Sequence, residues 1–266
     1  MAYTRIKLIK KYIFYYLRAG NGRGHGIHSP FVYDFITHIL KDKKEYPSYF
    51  KIESIRKTLL HRDGSIPVED KGAGSSVIKT SNRKISQIAS SSLKNKKIAQ
   101  LLYRIVQYFK PANIVELGTS FGITTSYLAS ANPEASIITM EGSKEIANIA
   151  KETFSNAGCQ HINLKIGDFK DTLPKIIENI PSIDFAFIDG NHSKIPTLDY
   201  FQRLLAKADK SSIFIFDDIH WSPDMEEAWK NIQGDPRVTM TIDLFFIGIV
   251  FFDSAFKAKQ HFVIRF

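Results

Sequence analysis

Short apolar runs and longer amphipathic stretches alternate along the chain from about residue 94 onward. Nearly continuous apolar runs of strand length predict buried strands, and apolar residues repeating every three or four positions predict helices. The predicted strands cover residues 113–117, 136–140, 162–166, 183–188 and 212–216. The predicted helices between them cover residues 124–131, 144–157, 171–178 and 197–207. This alternation is typical of a parallel sheet covered by helices on both faces.

The alternation ends after a helix predicted from Pro223 to Ile232. Residues 238–252 contain two strand-like runs, and the link between them is too short for a crossover helix. Neighbouring strands joined by a tight link must be antiparallel. Residues 91–266 are therefore predicted to form a doubly wound, mostly parallel α/β sheet that ends in an antiparallel hairpin.

The first 90 residues follow a different pattern, which predicts a helical N-terminal extension. Apolar residues recur at helical spacing over residues 6–17, with basic residues mostly between them. Ser29 and Pro30 are typical of the cap and first residue of a second helix, which would end at Leu40. A third helix is predicted over residues 52–60, and residues 69–76 are predicted to be a loop.

Composition narrows the class of protein further. The 266 residues include one cysteine, Cys159, which excludes an internal disulfide and a cysteine-rich metal site. Such a chain suits a reducing compartment, most simply the cytoplasm. No apolar run reaches the length of a membrane span. The net charge of +9 indicates either an anionic partner or a solvated basic face.

Candidate binding residues follow the first three predicted strands, at the sheet edge where open α/β folds hold ligands. The first strand leads into a glycine turn and then a helix, an arrangement typical of nucleotide sites. An acid precedes the first glycine, and its negative charge favours a cationic or zwitterionic ligand over a diphosphate. The next acid is placed to bind ribose hydroxyls, and the third, beside an aromatic ring, suits adenine. The alternative for the third acid is that it only caps the following helix. The candidate residues are Glu116, Gly118, Thr119, Ser120, Gly122, Glu141, Gly142, Asp168 and Phe169.

These motifs, in this order, resemble those of class I S-adenosylmethionine-dependent methyltransferases over about residues 94–252. The stretch VELGTSFG resembles the first motif of that family, MEGS the ribose acid, GDF the adenine acid, and the hairpin its sixth and seventh strands. The resemblance implies a seven-stranded sheet and S-adenosylmethionine as cofactor. Ser120 departs from the pattern, because many members have a second glycine there.

The next two strand ends resemble catechol-type O-methyltransferases, which hold a divalent cation with an acid after strand four and an Asp-Asn or Asp-Asp pair after strand five. The resemblance implies that Asp189, Asp217 and Asp218 bind Mg²⁺, Mn²⁺ or Ca²⁺, and hard oxygen ligands suit these ions. It also implies that His192, three residues beyond Asp189, is the catalytic base, in a position where many members have lysine.

Alternatives remain for each of these residues. Asp189 could contact the methionine part of the cofactor, Asp218 could cap a turn, and His192 could be an ordinary surface histidine. His220 and Trp221 could line an acceptor pocket or pack beneath the next helix. The three histidines of the extension, His25, His28 and His38, have spacings that fit no closed metal site.

The expected function is methyl transfer to an oxygen of a small or medium-sized acceptor, in a possible homodimer. Residues 1–90 would then cover the acceptor site, with residues 24–31 and 69–76 as contact loops. One alternative is an RNA methyltransferase that uses the basic N-terminal half. Against it, the N/D-P-P-Y/F signature of base methylation is missing after the fourth strand, where DGNH stands. A second alternative is a non-enzymatic protein, either a basic protein of the membrane surface or a scaffold. The complete set of acids that would bind a cofactor argues against this alternative.

Overall fold

The computed structural model describes residues 2–20, 29–70, 79–256 and 258–266. The helices are α1 (Arg5–Arg18), α2 (Pro30–Phe35, which continues as a π-helical turn, Ile36–Leu40), α3 (Pro47–Leu60), α4 (Ile85–Ser92), α5 (Lys96–Phe109), α6 (Ile123–Ala131), α7 (Lys144–Ala157), α8 (Phe169–Asn179), α9 (Lys194–Leu205) and α10 (Pro223–Gly234). The strands are β1 (Ser65–Asp70), β2 (Lys79–Lys84), β3 (Asn113–Leu117), β4 (Ser136–Glu141), β5 (Ile162–Ile166), β6 (Phe185–Ile188), β7 (Ile213–Asp217), β8 (Met240–Asp243), β9 (Ile247–Phe251) and β10 (Gln260–Val263).

The chain divides into two compact units, the first made of Met1–Asp42 and Leu173–Phe266 and the second of Lys43–Thr172. In the second unit, β3 and β5 both pair with β4 in parallel. The sequence predicted the bounds of helix α7 correctly because both of its ends carry local signals. Ser143 caps its start by accepting from the N–H of Ile146, and Gly158 ends it with a φ of 81°.

The second unit also contains structure that the sequence pattern did not predict. Strands β1 and β2 form an antiparallel hairpin, and α4 covers the serine-rich stretch at residues 89–92. The extension over residues 1–90, predicted to be helical, therefore also contains a strand hairpin. Residues 69–70 of the predicted loop belong to β1, and residues 71–76 lie outside the described residues.

In the first unit the strand order is β10-β8-β9-β7-β6. Strands β6 and β7 are parallel, β9 runs antiparallel to both β7 and β8, and β10 is parallel to β8. Every residue of β6, β7, β8 and β9 is buried, which accounts for the nearly continuous apolar sequences of β6, β7 and β9. Helix α1 joins this core through Tyr15, which packs with Ala19 and Phe245.

The predicted fold class is confirmed: β3 to β10 form a mostly parallel sheet with helices and an antiparallel hairpin, β8–β9. The count of seven strands was wrong, because β10 adds an eighth. This strand has four residues, alternately half-buried and exposed, so its apolar signal is weak. The predicted boundary at residue 90 also differs from the division into units, since α1 and α2 group with the C-terminal strands. Among the described helices, none is long and apolar enough to cross a membrane.

Candidate functional site

The turn after β3 is fixed to the end of β4 and depends on two left-handed glycines. The N–H groups of Gly118 and Thr119 both donate to the carbonyl of Met140, each at 3.0 Å. Gly118 has a φ of 105° and Gly122 a φ of 79°. A Cβ at Gly122 would lie 2.5 Å from the ring of Phe154. The backbone conformation and the close approach both require glycine at residue 122.

Ser120, the departure from the family pattern, takes a left-handed conformation itself, with a φ of 49°. This conformation costs a residue with a side chain about 1 kcal/mol. Its hydroxyl lies 2.9 Å from the hydroxyl of Ser92, and its N–H donates to Oε2 of Glu141 at 2.9 Å. The turn therefore keeps its shape without a second glycine.

Glu141, the predicted ribose acid, is held by backbone donors on both carboxylate oxygens. Oε1 accepts from the N–H of Ser143 at 2.9 Å, and Oε2 accepts from Ser120. Burial raises the pKa of this carboxyl above its ordinary value, although the backbone hydrogen bonds oppose the shift. Each carboxylate oxygen has a second lone pair. The fixed carboxylate therefore fits a ligand that offers two neighbouring hydroxyls, as a ribose does.

Glu116, the acid before the glycine turn, lies in the interior and exposes no surface. Its Oε2 accepts from the hydroxyls of Thr125 on α6 and Thr139 on β4, the latter at 2.6 Å. Thr139 in turn lies 2.6 Å from the hydroxyl of Thr119 in the turn. Glu116 thus links the turn, the helix and the sheet, and a direct ligand contact would need surface that this side chain does not expose.

Asp168 caps α8, which is the alternative role that the sequence left open. Its Oδ1 accepts from the N–H of Lys170 at 3.0 Å, and its carbonyl accepts from the N–H groups of Asp171 and Thr172. Phe169 is partly exposed as the first residue of the helix. Gly142 is not required sterically, because a Cβ there would meet nothing within 4 Å. Contacts of these three residues with a cofactor stay predictions.

In the first unit, the ends of β6 and β7 bring Asp189, His192 and Asp217 together. One ligand atom of each residue lies within 4.8 Å of the others, and Nε2 of His192 lies 3.6 Å from Oδ1 of Asp189. Asp217 is the buried last residue of β7. The adjacent parallel strands explain this grouping, because their carboxyl ends lie at the same sheet edge. Two carboxylates and an imidazole are a donor set that fits a divalent cation.

Asp218, the third predicted metal ligand, is not part of this group. Its φ is 53°, its N–H donates to the carbonyl of Phe246 at 2.7 Å, and its carbonyl accepts from the N–H of Trp221 at 2.9 Å. These contacts give Asp218 the turn role that was the alternative to metal binding. The sequence placed His192 beside the metal as a base, and the structure makes it a candidate ligand as well.

A cavity of about 290 Å³ lies in the first unit, beside the turn that contains Asp218. Its wall is mostly apolar and aromatic. The lining residues are Arg5, Leu8, Ile9, Tyr12, Asp218, His220, Trp221, Phe245 and Phe246. His220 and Trp221 therefore line a cavity that is large enough for part or all of a small ligand. That this cavity binds the acceptor stays a prediction.

His220 forms a charged network that the sequence did not reveal. Its Nε2 lies 2.8 Å from Oδ2 of Asp243, and its Nδ1 lies 3.0 Å from Oε1 of Glu226. Burial alone would lower the pKa of His220, but the hydrogen bonds and charges of Asp243 and Glu226 raise it above its ordinary value. Glu226 also accepts from the ammonium of Lys11 at 2.7 Å and from the hydroxyl of Tyr3 at 2.8 Å. The network fastens α1 to the wall of the cavity.

Known proteins resemble the segment that contains both groups of candidate residues. Residues 115–219 match a family model described as a methyltransferase domain. The chain is also 31% identical over 126 residues to a catechol O-methyltransferase of Niastella koreensis, and the match covers 46% of the chain and 55% of that relative. The predicted resemblance to class I S-adenosylmethionine-dependent O-methyltransferases is confirmed.

Solved structures share the fold of this chain at low sequence identity. An O-methyltransferase of Bacillus cereus in complex with S-adenosylhomocysteine aligns with a TM-score of 0.56 and 19% identity, over 83% of the chain and 96% of the other protein. A Podospora anserina methyltransferase bound to S-adenosylhomocysteine aligns with a TM-score of 0.57 and 13% identity, over 95% of the chain and 98% of the other protein. These alignments cover more of the chain than residues 115–219, so the shared fold extends beyond the segment that matches the family model.

Proposed function

We propose that the protein transfers a methyl group from S-adenosylmethionine to an oxygen of a small or medium-sized acceptor. The observation that carries this proposal is the fixed carboxylate of Glu141, placed at the end of β4 inside the matched domain. The chain spans 55% of the catechol O-methyltransferase that it matches. That relative and the solved O-methyltransferases favour oxygen as the methylated atom.

The residues of the second unit would hold the cofactor through its adenosine. Glu141 would accept from the two ribose hydroxyls, and Asp168 and Phe169 would meet the adenine amino group and ring face. The glycine turn lets the backbone of residues 118–120 approach the ligand, with the hydroxyls of Thr119 and Ser120 nearby. Glu116 would act indirectly, by fixing the turn. When bound, S-adenosylmethionine supplies the methyl group that reacts.

The group Asp189, His192 and Asp217 would serve the deprotonation of the acceptor. A cation held by the carboxylates would orient the acceptor hydroxyl and lower its pKa. His192 would take the proton, and the neighbouring carboxylate of Asp189 would stabilise the imidazolium that forms. His192 is also close enough to both acids to be a ligand itself. Removal of metal and substitution of His192 separate these two roles.

The cavity beside Asp218 would bind the acceptor. Its aromatic and aliphatic wall suits an apolar or aromatic molecule that carries a hydroxyl group. Arg5, at the wall, would favour an acceptor with an acidic substituent. In this arrangement catalysis depends on holding the hydroxyl in line with the methyl group and excluding water, rather than on a covalent intermediate.

A transfer assay with S-adenosylmethionine carrying a labelled methyl group tests this function. Hydroxylated aromatic acceptors should gain the label on oxygen, and their O-methyl ethers, which have no free hydroxyl, should gain none. Labelling of RNA in preference to every small acceptor would contradict the proposal.

A further inference from the structure

The outer face of α1 exposes a row of large aliphatic side chains. Ile6, Ile9, Ile13 and Leu17 are 70%, 52%, 53% and 70% exposed. Their spacing of three or four residues places them in one stripe along the helix. The opposite side of the helix packs against the protein through the buried Tyr15. The stripe is therefore exposed even though the helix has a packed face.

The contacts that hold α1 leave the stripe pointing outward. Tyr15 packs with Phe245, and its hydroxyl donates to the carbonyl of Ile264. Tyr12 lies edge-on to Phe245, with ring centroids 5.1 Å apart. Lys11 bonds Glu226 on the same side. One face of the helix is thus bound to the rest of the unit, while its apolar stripe remains exposed to solvent.

Two exposed aromatic residues extend the apolar surface beyond the helix. Phe246 is 45% exposed, and its ring lies 5.7 Å from that of Tyr12. Trp221 is 42% exposed, and its carbonyl accepts from the N–H of Tyr3 at 3.0 Å. Partly exposed tryptophan and phenylalanine beside an aliphatic stripe are typical of surfaces that enter the boundary between water and lipid.

The charged residues on α1 itself are all positive. Helix α1 carries Arg5, Lys7, Lys10, Lys11 and Arg18, and the chain has no acidic residue before Asp34. Four of these five cations are exposed, since Lys11 alone is half-buried. A basic helix with a separate apolar stripe has the composition of helices that lie in the surface of anionic membranes.

We propose that this face of α1, with Trp221 and Phe246, docks on the anionic surface of a lipid bilayer. The aliphatic stripe would enter the boundary between headgroups and acyl chains, and the flanking cations would contact the lipid phosphates. A second copy meeting this face about a two-fold axis would oppose cations with the same cations. Nucleic acid would engage the cations but would leave the four aliphatic side chains in water.

The docking goes beyond the proposed function, because it locates the protein at a lipid surface. Ile9 and Tyr12 of α1 line the apolar cavity, and so do Trp221 and Phe246 of the proposed face. A docked helix would therefore bring the cavity wall to the lipid surface. The test of docking uses neither cofactor nor acceptor, so its failure is distinguishable from failure of the methyltransferase proposal.

Sedimentation with sucrose-loaded vesicles tests the docking on the full chain. The protein should sediment with vesicles of equal parts phosphatidylglycerol and phosphatidylcholine, and only weakly with phosphatidylcholine alone. The double variant Ile13→Gln/Leu17→Gln should bind at least about tenfold more weakly, because two apolar side chains no longer enter the lipid. Lys7→Gln/Lys10→Gln should weaken binding about tenfold through lost charge.

Matched controls come from the same unit. Ile195 is 81% exposed on α9, so Ile195→Gln removes an exposed isoleucine outside the proposed face and should leave vesicle binding unchanged. Lys230→Gln is the corresponding control for charge. Thermal unfolding of each variant confirms that it is folded. The proposal is overturned if the wild type does not bind anionic vesicles, or if the α1 variants bind as it does. It is also overturned if Ile13→Gln/Leu17→Gln converts a dimer to a monomer without changing vesicle binding.

Discussion

The N–H of Ser120 donates to the carboxylate of Glu141 at 2.9 Å, so the turn after β3 and the acid after β4 form one unit of structure. The same carboxylate accepts from Ser143, which caps α7. A ligand that binds Glu141 therefore meets a side chain whose position is already fixed by two loops. Such preorganisation reduces the entropy lost on binding.

Gly122→Ala should destabilise the protein by about 1–3 kcal/mol. Its φ of 79° disfavours a side chain, and the new Cβ would lie 2.5 Å from Phe154. Gly142→Ala is the matched control, since a Cβ there meets nothing within 4 Å. Denaturant unfolding of both variants gives the comparison, and equal free energies of unfolding would show that the turn adapts.

Glu116→Ala should lower the free energy of unfolding by about 1–3 kcal/mol, because the hydroxyls of Thr125 and Thr139 lose a buried acceptor. Thr125→Val should cost less, since it removes the donor and leaves Thr139 bonded to the acid. Urea denaturation measures both. A neutral Glu116→Ala would indicate that the carboxylate acts at the ligand and not in the interior.

How far the sequence predicts this structure depends on how local each signal is. The bounds of α7 follow from Ser143 and Gly158, and strands β3 to β7 follow from short, mostly apolar runs. Hairpin β1–β2 was missed because its strands, SIPVED and KTSNRK, carry few apolar residues. The contacts of His220 with Asp243 and Glu226 were missed because the three residues are separated along the chain. No local sequence pattern predicts such contacts.

The candidate site was predictable to the same extent. Residues at the ends of neighbouring parallel strands, such as Asp189 and Asp217, were expected to meet because topology brings strand ends together. The direction of a side chain was not predictable. Glu116 points into the interior, and Asp218, whose backbone is left-handed, lies outside the group of Asp189, His192 and Asp217.

The network at His220 should make stability depend on pH. The raised pKa means that the folded protein holds this proton more tightly than the unfolded chain, whose histidine has a pKa of about 6.5. The stabilisation is fully present below that pH and is lost as the pH rises through the folded pKa. Unfolding free energy measured against pH should therefore fall more steeply on the neutral side for wild type than for His220→Gln.

Glu226→Gln provides the second comparison for this network. It removes one of the two carboxylates that raise the pKa of His220, and so should reduce the pH dependence without abolishing it. Identical pH profiles for wild type and His220→Gln would contradict the assignment.

Chelation and substitution separate the roles of the group at β6 and β7. EDTA should abolish methyl transfer while binding of S-adenosylhomocysteine persists, and Asp217→Asn should behave in the same way. If His192 is the base, His192→Gln should keep its affinity for the cation and lower kcat by roughly 10²–10⁴-fold. Loss of cation binding by His192→Gln, measured by calorimetry with Mn²⁺, would make it a ligand instead. Full activity in excess EDTA would contradict a metal role.

The central claim, that this chain binds an adenosyl cofactor through Glu141, is tested most directly by calorimetry with S-adenosylhomocysteine. The wild type should bind, and ligand at a hundredfold excess over Kd should raise the free energy of unfolding by about 2.7 kcal/mol. Glu141→Ala should lose most of the binding and remain folded, whereas Glu134→Ala, which removes an exposed acid of the same unit, should bind as the wild type does. No heat of binding at millimolar ligand, or equal affinity of Glu141→Ala and wild type, would contradict the account.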